Sequence, residues 1–257
     1  MPWGKIVYNG ENLPQNSTES APVASEARAF LQEIEVRRLA ACAHANRDAD
    51  GVLLIGASKT VPASELQKYI EAGLRHCGEN YVQEGVAKIG VLRPAFPDVK
   101  WHLIGALQSN KAREAVENFD VIHSVDRASL INALDKTSRA QNKIQDILLQ
   151  VNLGDESTKS GCAVGELSTL LALCEAKENL RVRGLMCLPP FDENPEFRRP
   201  YFRELRRLRD ELRDEINGEN ALELSMGMSN DFEIAIEEGA TMIRVGTSLF
   251  GAREKRI

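Results

Sequence analysis

From about Ser25 onward the chain alternates short apolar runs with longer stretches whose apolar residues recur every three or four positions. The first pattern reads as buried strand and the second as amphipathic helix. The apolar runs fall near Val52–Ala57, Leu74–Cys77, Trp101–Ile104, Val121–His123, Ile147–Asn152, Val182–Met186, Leu222–Ser225 and Met242–Val245. Between them, Leu66, Tyr69, Ile70 and Gly73 follow the i, i+3, i+4, i+7 rule. Leu167, Leu170, Leu171 and Cys174 do the same, as do Phe232, Ala235, Ile236 and Gly239. A first helix is expected over about Ser25–Ala45, ahead of all the strands. Residues 1–24 hold three prolines and no periodicity, and read as a flexible tail. Strand–helix alternation implies parallel pairing with right-handed crossovers. Eight strands in this length favour one closed (β/α)8 barrel over an open doubly wound sheet, so residues 25–257 form one expected α/β domain.

Composition narrows the function more than the fold. The 257 residues are 43% hydrophobic and 27% charged, an ordinary balance for a globular protein. The net charge of −6 gives no electrostatic footprint for nucleic acid. One basic run, Arg198–Arg209, carries Tyr201, Leu205, Leu208, Leu212 and Ile216 at helical spacing, and reads as a solvated helix face. The five cysteines form no C-x-x-C pair and are odd in number, which fits a reducing compartment. The four histidines show no metal-ligand spacing. With neither a membrane-length apolar run nor a signal peptide, the expected location is the cytoplasm.

The candidate chemistry gathers where strands end, since a barrel of this kind builds its site at the carboxyl ends of its strands. The first run, LLIGASKT (53–60), closes on Lys59. Gly51, Gly56 and Lys59-Thr60 imitate a phosphate loop, but that motif needs its lysine at 57, where the chain has Ala57. Later ends supply Gly78 to Tyr81, Gly105 to Lys111, Ser124 to Asp126, Asn152 with Lys159-Ser160-Gly161, and Met186 with Pro189-Pro190. The last two are Ser225 to Ser229 and Arg244 to Thr247. Singly, Asn80, Asn110 and Ser229 also read as helix caps, and Gly227 and Gly246 as turn residues. Together, Ser229 and Gly246-Thr247-Ser248 can open two helices whose free amides make an anion site, at the strand pair where barrels often bind phosphate. Strand one neighbours strand eight in a closed barrel, so Lys59 lies across the mouth from that site. Desolvation there favours the neutral amine, which attacks aldehydes. Taken alone, a lysine snorkelling to the rim is the better account. With an anion site opposite, the pair suggests a ligand with an aldehyde at one end and a phosphate at the other.

These residues are where the chain resembles the pyridoxal-phosphate homeostasis proteins, barrel-only relatives of bacterial alanine racemase. The matching stretches are SKTVP (58–62), AGLRHCGENYVQE (72–84), WHLIGALQSNK (101–111), HSVD (123–126), VNLGDESTKSG (151–161), RGLMCLPP (183–190), LSMGMSND (224–231) and IRVGTSLFG (243–251). Gly56-Ala57 depart from the family's usual alanine and valine, and residues 1–24 match nothing. The resemblance implies an alanine racemase N-terminal-type barrel with pyridoxal 5′-phosphate held as a Schiff base on Lys59. Arg244 approaches the pyridine nitrogen, Ser229, Gly246 and Thr247 hold the phosphate, and Asn80 and Met226 line the ring pocket. The implied role is a non-catalytic carrier in vitamin B6 homeostasis, exchanging cofactor with pyridoxal-phosphate-dependent apoenzymes, with no nucleic-acid or membrane partner. The alternative is an amino-acid racemase. Racemases of that kind continue into a β-rich second domain and borrow a tyrosine from the other subunit. The chain ends at Ile257, just after the last strand's helix, which favours a monomeric carrier. Of the four tyrosines only Tyr81 follows a strand end, and it is expected to pack at its helix start. A barrel aldolase using Lys59 ranks third, because the strand ends show no carboxylate pair.

Overall fold

Eight short parallel strands pair in chain order and close on themselves, the last against the first. They are β1 (Leu53–Ala57), β2 (His76–Glu79), β3 (Lys100–Leu103), β4 (Val121–Val125), β5 (Gln145–Val151), β6 (Leu180–Cys187), β7 (Glu223–Ser225) and β8 (Met242–Val245). The computed structural model describes residues 21–154, 160–215 and 222–251. Lys159, Ile216 and residues 1–20 of the expected tail lie outside the described residues.

The closed sheet divides the apolar residues into two cores, because successive side chains on a strand face opposite ways. Leu53, Ile55, Val121, Leu148, Met186 and Met242 fill the barrel interior. Their strand neighbours, including Cys77, Leu103, Ile122, Leu149, Leu185, Leu224 and Ile243, pack against the surrounding helices. Those helices are α2 (Ala63–Glu71), α3 (Val82–Leu92), α4 (Ala112–Asn118), α5 (Ala128–Ala140), α6 (Leu167–Glu175), α7 (Arg199–Glu215), α8 (Phe232–Glu237) and the one-turn α9 (Thr247–Phe250). The periodic residues of the sequence are the buried ones: Leu66, Tyr69 and Ile70 on α2, and Leu167, Leu170, Leu171 and Cys174 on α6. On α7 the stripe is rotated by one position. Phe202 is buried with Leu205, Leu208 and Leu212, while Tyr201 stays half-exposed beside Phe197. Burying a phenylalanine side chain contributes about 1.5–3 kcal/mol, which decides the rotation in favour of Phe202.

The extra helix α1 (Ala21–His44) starts four residues before the expected Ser25, so residues 21–24 belong to it. It packs on α2, α8 and α9, across the seam where the barrel closes. Buried Arg38 fastens it there, donating to the carbonyls of Ala49 and of Val52 (2.9 Å) while paired with Glu35. Strand β2 runs two residues later than expected. Leu74 closes the turn after α2, its amide bonded to the Tyr69 carbonyl. Gly78 and Glu79 lie in the strand instead, and a Cβ on Gly78 would come within 2.9 Å of Ile55 and Ile104.

Candidate functional site

The parity that puts Leu53 and Ile55 inside the barrel carries Ala57, and then Lys59, to the inner rim of the mouth. Ser58 obeys the opposite parity, and its hydroxyl donates to Glu79 Oε1 at 2.6 Å, on the helix side of the sheet. There Lys88 of α3 donates to the Ser58 carbonyl (2.7 Å), to Glu79 Oε1 (2.8 Å) and to Glu84 Oε1 (2.8 Å). Glu84 Oε1 in turn accepts the Thr60 amide at 2.6 Å. Both chain neighbours of Lys59 are therefore held by one cluster, and Thr60 adopts a left-handed backbone (φ 68°) in doing so. Burial pushes the Glu79 carboxyl up from its ordinary range, and the bonds from Lys88 and Ser58 oppose that rise. Lys59 itself is half-buried.

Across the seam, Ile55 of β1 stands opposite Arg244 of β8. Arg244 is buried and donates to Ser225 Oγ (2.6 Å) and to the Cys187 carbonyl (2.9 Å). No carboxylate contacts this guanidinium among the described residues, and burial pulls its pKa down. Just beyond it, the amides of Gly246 and Ser248 both donate to Ser229 Oγ at 3.2 Å. Two backbone donors converging on one oxygen at the start of α9 are what an oxyanion requires.

Ser229 is delivered by a tight loop. Asp231 accepts the Met228 amide at 2.5 Å, and the Gly227 carbonyl accepts the Arg244 amide at 3.0 Å. Gly227 has φ +90°, and a Cβ there would sit 2.6 Å from that of Ala235, so only glycine makes this turn. Gly105 serves the neighbouring rim: a Cβ on it would come within 2.2 Å of the Asn80 carbonyl oxygen.

Six of the seven residues singled out from sequence thus meet at one mouth: Lys59, Asn80, Ser229, Arg244, Gly246 and Thr247. Asn80 follows β2 with the inward parity of His76 and Gly78, and the residue capping α3 is Tyr81. Asn110 lies within a 3-10 turn, so neither asparagine is a helix cap. Thr247 is exposed at the start of α9, and Ser248, one residue on, supplies the amide that reaches Ser229. Met226 is the exception. Its side chain is fully buried in the helix-facing core, because Ser225 before it takes the inward position. Tyr81 does not pack at its helix start as expected; it is 64% exposed. The Glu79–Lys88–Glu84 cluster carries no motif in the sequence.

Fold and mouth define the class: a (β/α)8 barrel with an amine just after its first strand and converging backbone amides after its last. Residues 37–254 match the family described as alanine racemase, N-terminal domain. The pyridoxal phosphate homeostasis protein of Aquifex aeolicus is 46% identical over 225 residues, 87% of this chain and 97% of that protein. The Escherichia coli K12 protein of the same name is 37% identical over 87% of this chain and 95% of its own length. PipY of Synechococcus elongatus PCC7942 has been solved without and with PLP. It superposes with TM-scores of 0.79 and 0.77, at 38% and 37% identity, over 88% of this chain and 100% of that one. An alanine racemase of Clostridium difficile shares the fold alone (TM-score 0.66, 12% identity, 90% of this chain and 58% of that one). The chain belongs to the pyridoxal phosphate homeostasis protein family.

Proposed function

We propose that this protein binds pyridoxal 5′-phosphate at the barrel mouth and acts in vitamin B6 homeostasis as a carrier without robust catalysis. The observation that carries the reading is the juxtaposition of Lys59, Arg244 and the paired amides of Gly246 and Ser248 at the carboxyl ends of the paired strands β1 and β8. That donor set fits the cofactor: a primary amine, a cation that only donates, and an oxyanion turn. When bound, the cofactor supplies an aldehyde able to condense with amines. Lys59 would hold that carbon, Ser229, Gly246, Thr247 and Ser248 the phosphate, and Asn80 would flank the ring. Arg244 would donate to the ring nitrogen and so discourage its protonation, which weakens the ring as an electron sink. Relatives named as homeostasis proteins support the same role.

Borohydride treatment of the loaded, yellow protein is expected to fix the cofactor on the Lys59 peptide. A label elsewhere, or none, defeats the assignment. Pyridoxal lacks the phosphate and so forgoes two or more charge-assisted hydrogen bonds, each about 1.5–3 kcal/mol. It should bind at least ~100-fold more weakly, and equal affinities would remove the anion site. Racemisation needs a base on each face of the substrate carbon. Assays of alanine and other amino acids should show no turnover above a Lys59→Ala control, and Lys59-dependent racemisation would favour the enzyme reading.

A further inference from the structure

A continuous line of buried polar side chains crosses the barrel interior beneath the mouth. Arg244 Nη1 meets Ser225 Oγ at 2.6 Å, and Ser225 Oγ meets His123 Nδ1 at 3.0 Å. His123 Nε2 meets His102 Nδ1 at 2.9 Å, and His102 Nε2 meets His76 Nδ1 at 3.0 Å. All five residues are buried. The line starts beside the proposed cofactor ring, crosses the barrel from Ser225 on β7 to His123 on β4, and reaches His76, the first residue of β2.

Chemistry at one end fixes every proton in the line. A guanidinium has donors only, so Ser225 Oγ accepts from Arg244. Among the described residues Ser225 Oγ has no partner besides Arg244 and His123, and a buried hydroxyl hydrogen takes an acceptor, so it goes to His123 Nδ1 and makes that neutral ring the Nε2–H tautomer. His102 Nδ1 accepts that hydrogen, so His102 is also Nε2–H, and His76 Nδ1 accepts in the same way. All three rings point their lone pairs toward Arg244 and their N–H groups away from it. Arg244 acts on His123 and Lys100 on His76, while His102 feels its two neighbouring rings and then Lys100. Burial and these cations push His123 down to about 3 and His76 down to about 4, and hold His102 well below the ordinary imidazole range. The rings are therefore neutral at physiological pH.

We infer that Ser225, His123, His102 and His76 are positioning residues for Arg244, a one-way dipole chain that solvates its charge in place of a carboxylate and offers no proton toward the cofactor ring. The functional part rests on the reading of Arg244 as the ring partner. A carboxylate beside Arg244 would neutralise it and relax its hold on the ring. Aligned neutral dipoles stabilise a buried charge without cancelling it, and polarise one another along the chain. Because every N–H faces away from the mouth, the barrel interior accepts protons from that side and supplies none. The ring nitrogen stays unprotonated, as a restrained carrier requires.

The test is 15N-histidine NMR on the full chain, first without cofactor. Three histidines should show the neutral Nε2–H tautomer and not titrate down to about pH 5. A buried Nδ1–H tautomer, or protonation of a buried ring above pH 5, overturns the chain. Ser225→Ala cuts the link to Arg244 and should replace the single tautomer by a mixture, while Ser225→Thr should restore it. Unchanged tautomers in folded Ser225→Ala overturn the claim that Arg244 sets the direction. With pyridoxal phosphate added, the visible spectrum should be constant from pH 6 to 9 in the parent and become pH-dependent in Ser225→Ala. A spectrum indifferent to Ser225→Ala overturns the positioning role. If the parent takes up no cofactor, the proposed function fails, while the tautomer measurements still decide the chain.

Discussion

Two arginines are buried near the mouth, and they are treated in opposite ways. Arg198 and Asp231 have side chains 2% and 0% exposed and lie 2.9 Å apart, and Arg198 also donates to the Asp192 carbonyl at 2.9 Å. Asp231 in turn fixes the Met228 amide, so the pair anchors the loop that presents Ser229. Arg244 has a hydroxyl, a carbonyl and a line of imidazoles, and no contacting carboxylate among the described residues. A quenched charge holds a loop in place. An unquenched one keeps its field for a ligand. The difference separates the scaffold of this site from its working surface.

Removing one partner of the quenched pair should give the largest effect. Asp231→Asn leaves a guanidinium buried without its counter-ion and should cost about 3–5 kcal/mol, read from urea unfolding. A loss below about 1 kcal/mol would mean that Arg198 is not held by charge, and the contrast with Arg244 would collapse.

Acid probes the other arginine through its imidazoles. Their folded pKa values are depressed, so the unfolded chain binds more protons than the folded one below about pH 6.5, and stability must fall as pH falls. At pH 5, His123 and His76, near 3 and 4 when folded, should each have lost about 2 kcal/mol relative to pH 7.5. Urea midpoints at the two pH values check this, and a flat profile would show the rings charged or exposed. The smallest effect is expected at Arg244 itself. Arg244→Leu removes a charge that no carboxylate contacts among the described residues, so it should shift stability by about 2 kcal/mol or less. A cost equal to that of Asp231→Asn would show hidden pairing and erase the distinction.

The outline of the barrel was legible because alternation and helical spacing reach the same answer in most segments. It held for Met242–Val245, which forms β8 residue for residue, and for the four apolar positions of α6. It slipped at β2, where Gly78 and Glu79 read as loop residues but occupy the strand. There a glycine meets a crowded interior, and a glutamate is buried with its own lysine. Lys59, Arg244 and the Ser229–Gly246 turn were legible because strand ends mark the mouth. Met226 was placed in the ring pocket since proximity in sequence conceals strand parity. The imidazole line was invisible for a related reason. His76, His102 and His123 are separated by 26 and 21 residues, and Ser225 by a further 102, so only barrel closure brings them together.

If Lys59 carries the cofactor as proposed, the Lys88 cluster bears on how fast that cargo can leave. Hydrogen bonds grip the backbone at Ser58 and at Thr60, one residue to either side of Lys59. The peptide track is thereby anchored, and mobility at this position resides in the four methylenes of the lysine. Exposed side chains change rotamer within picoseconds to nanoseconds, whereas loop opening takes far longer. On the proposed reading, hand-over from Lys59 to another amine would be a swing of one arm on a fixed pivot, its tempo set by bond exchange and not by the opening of the barrel.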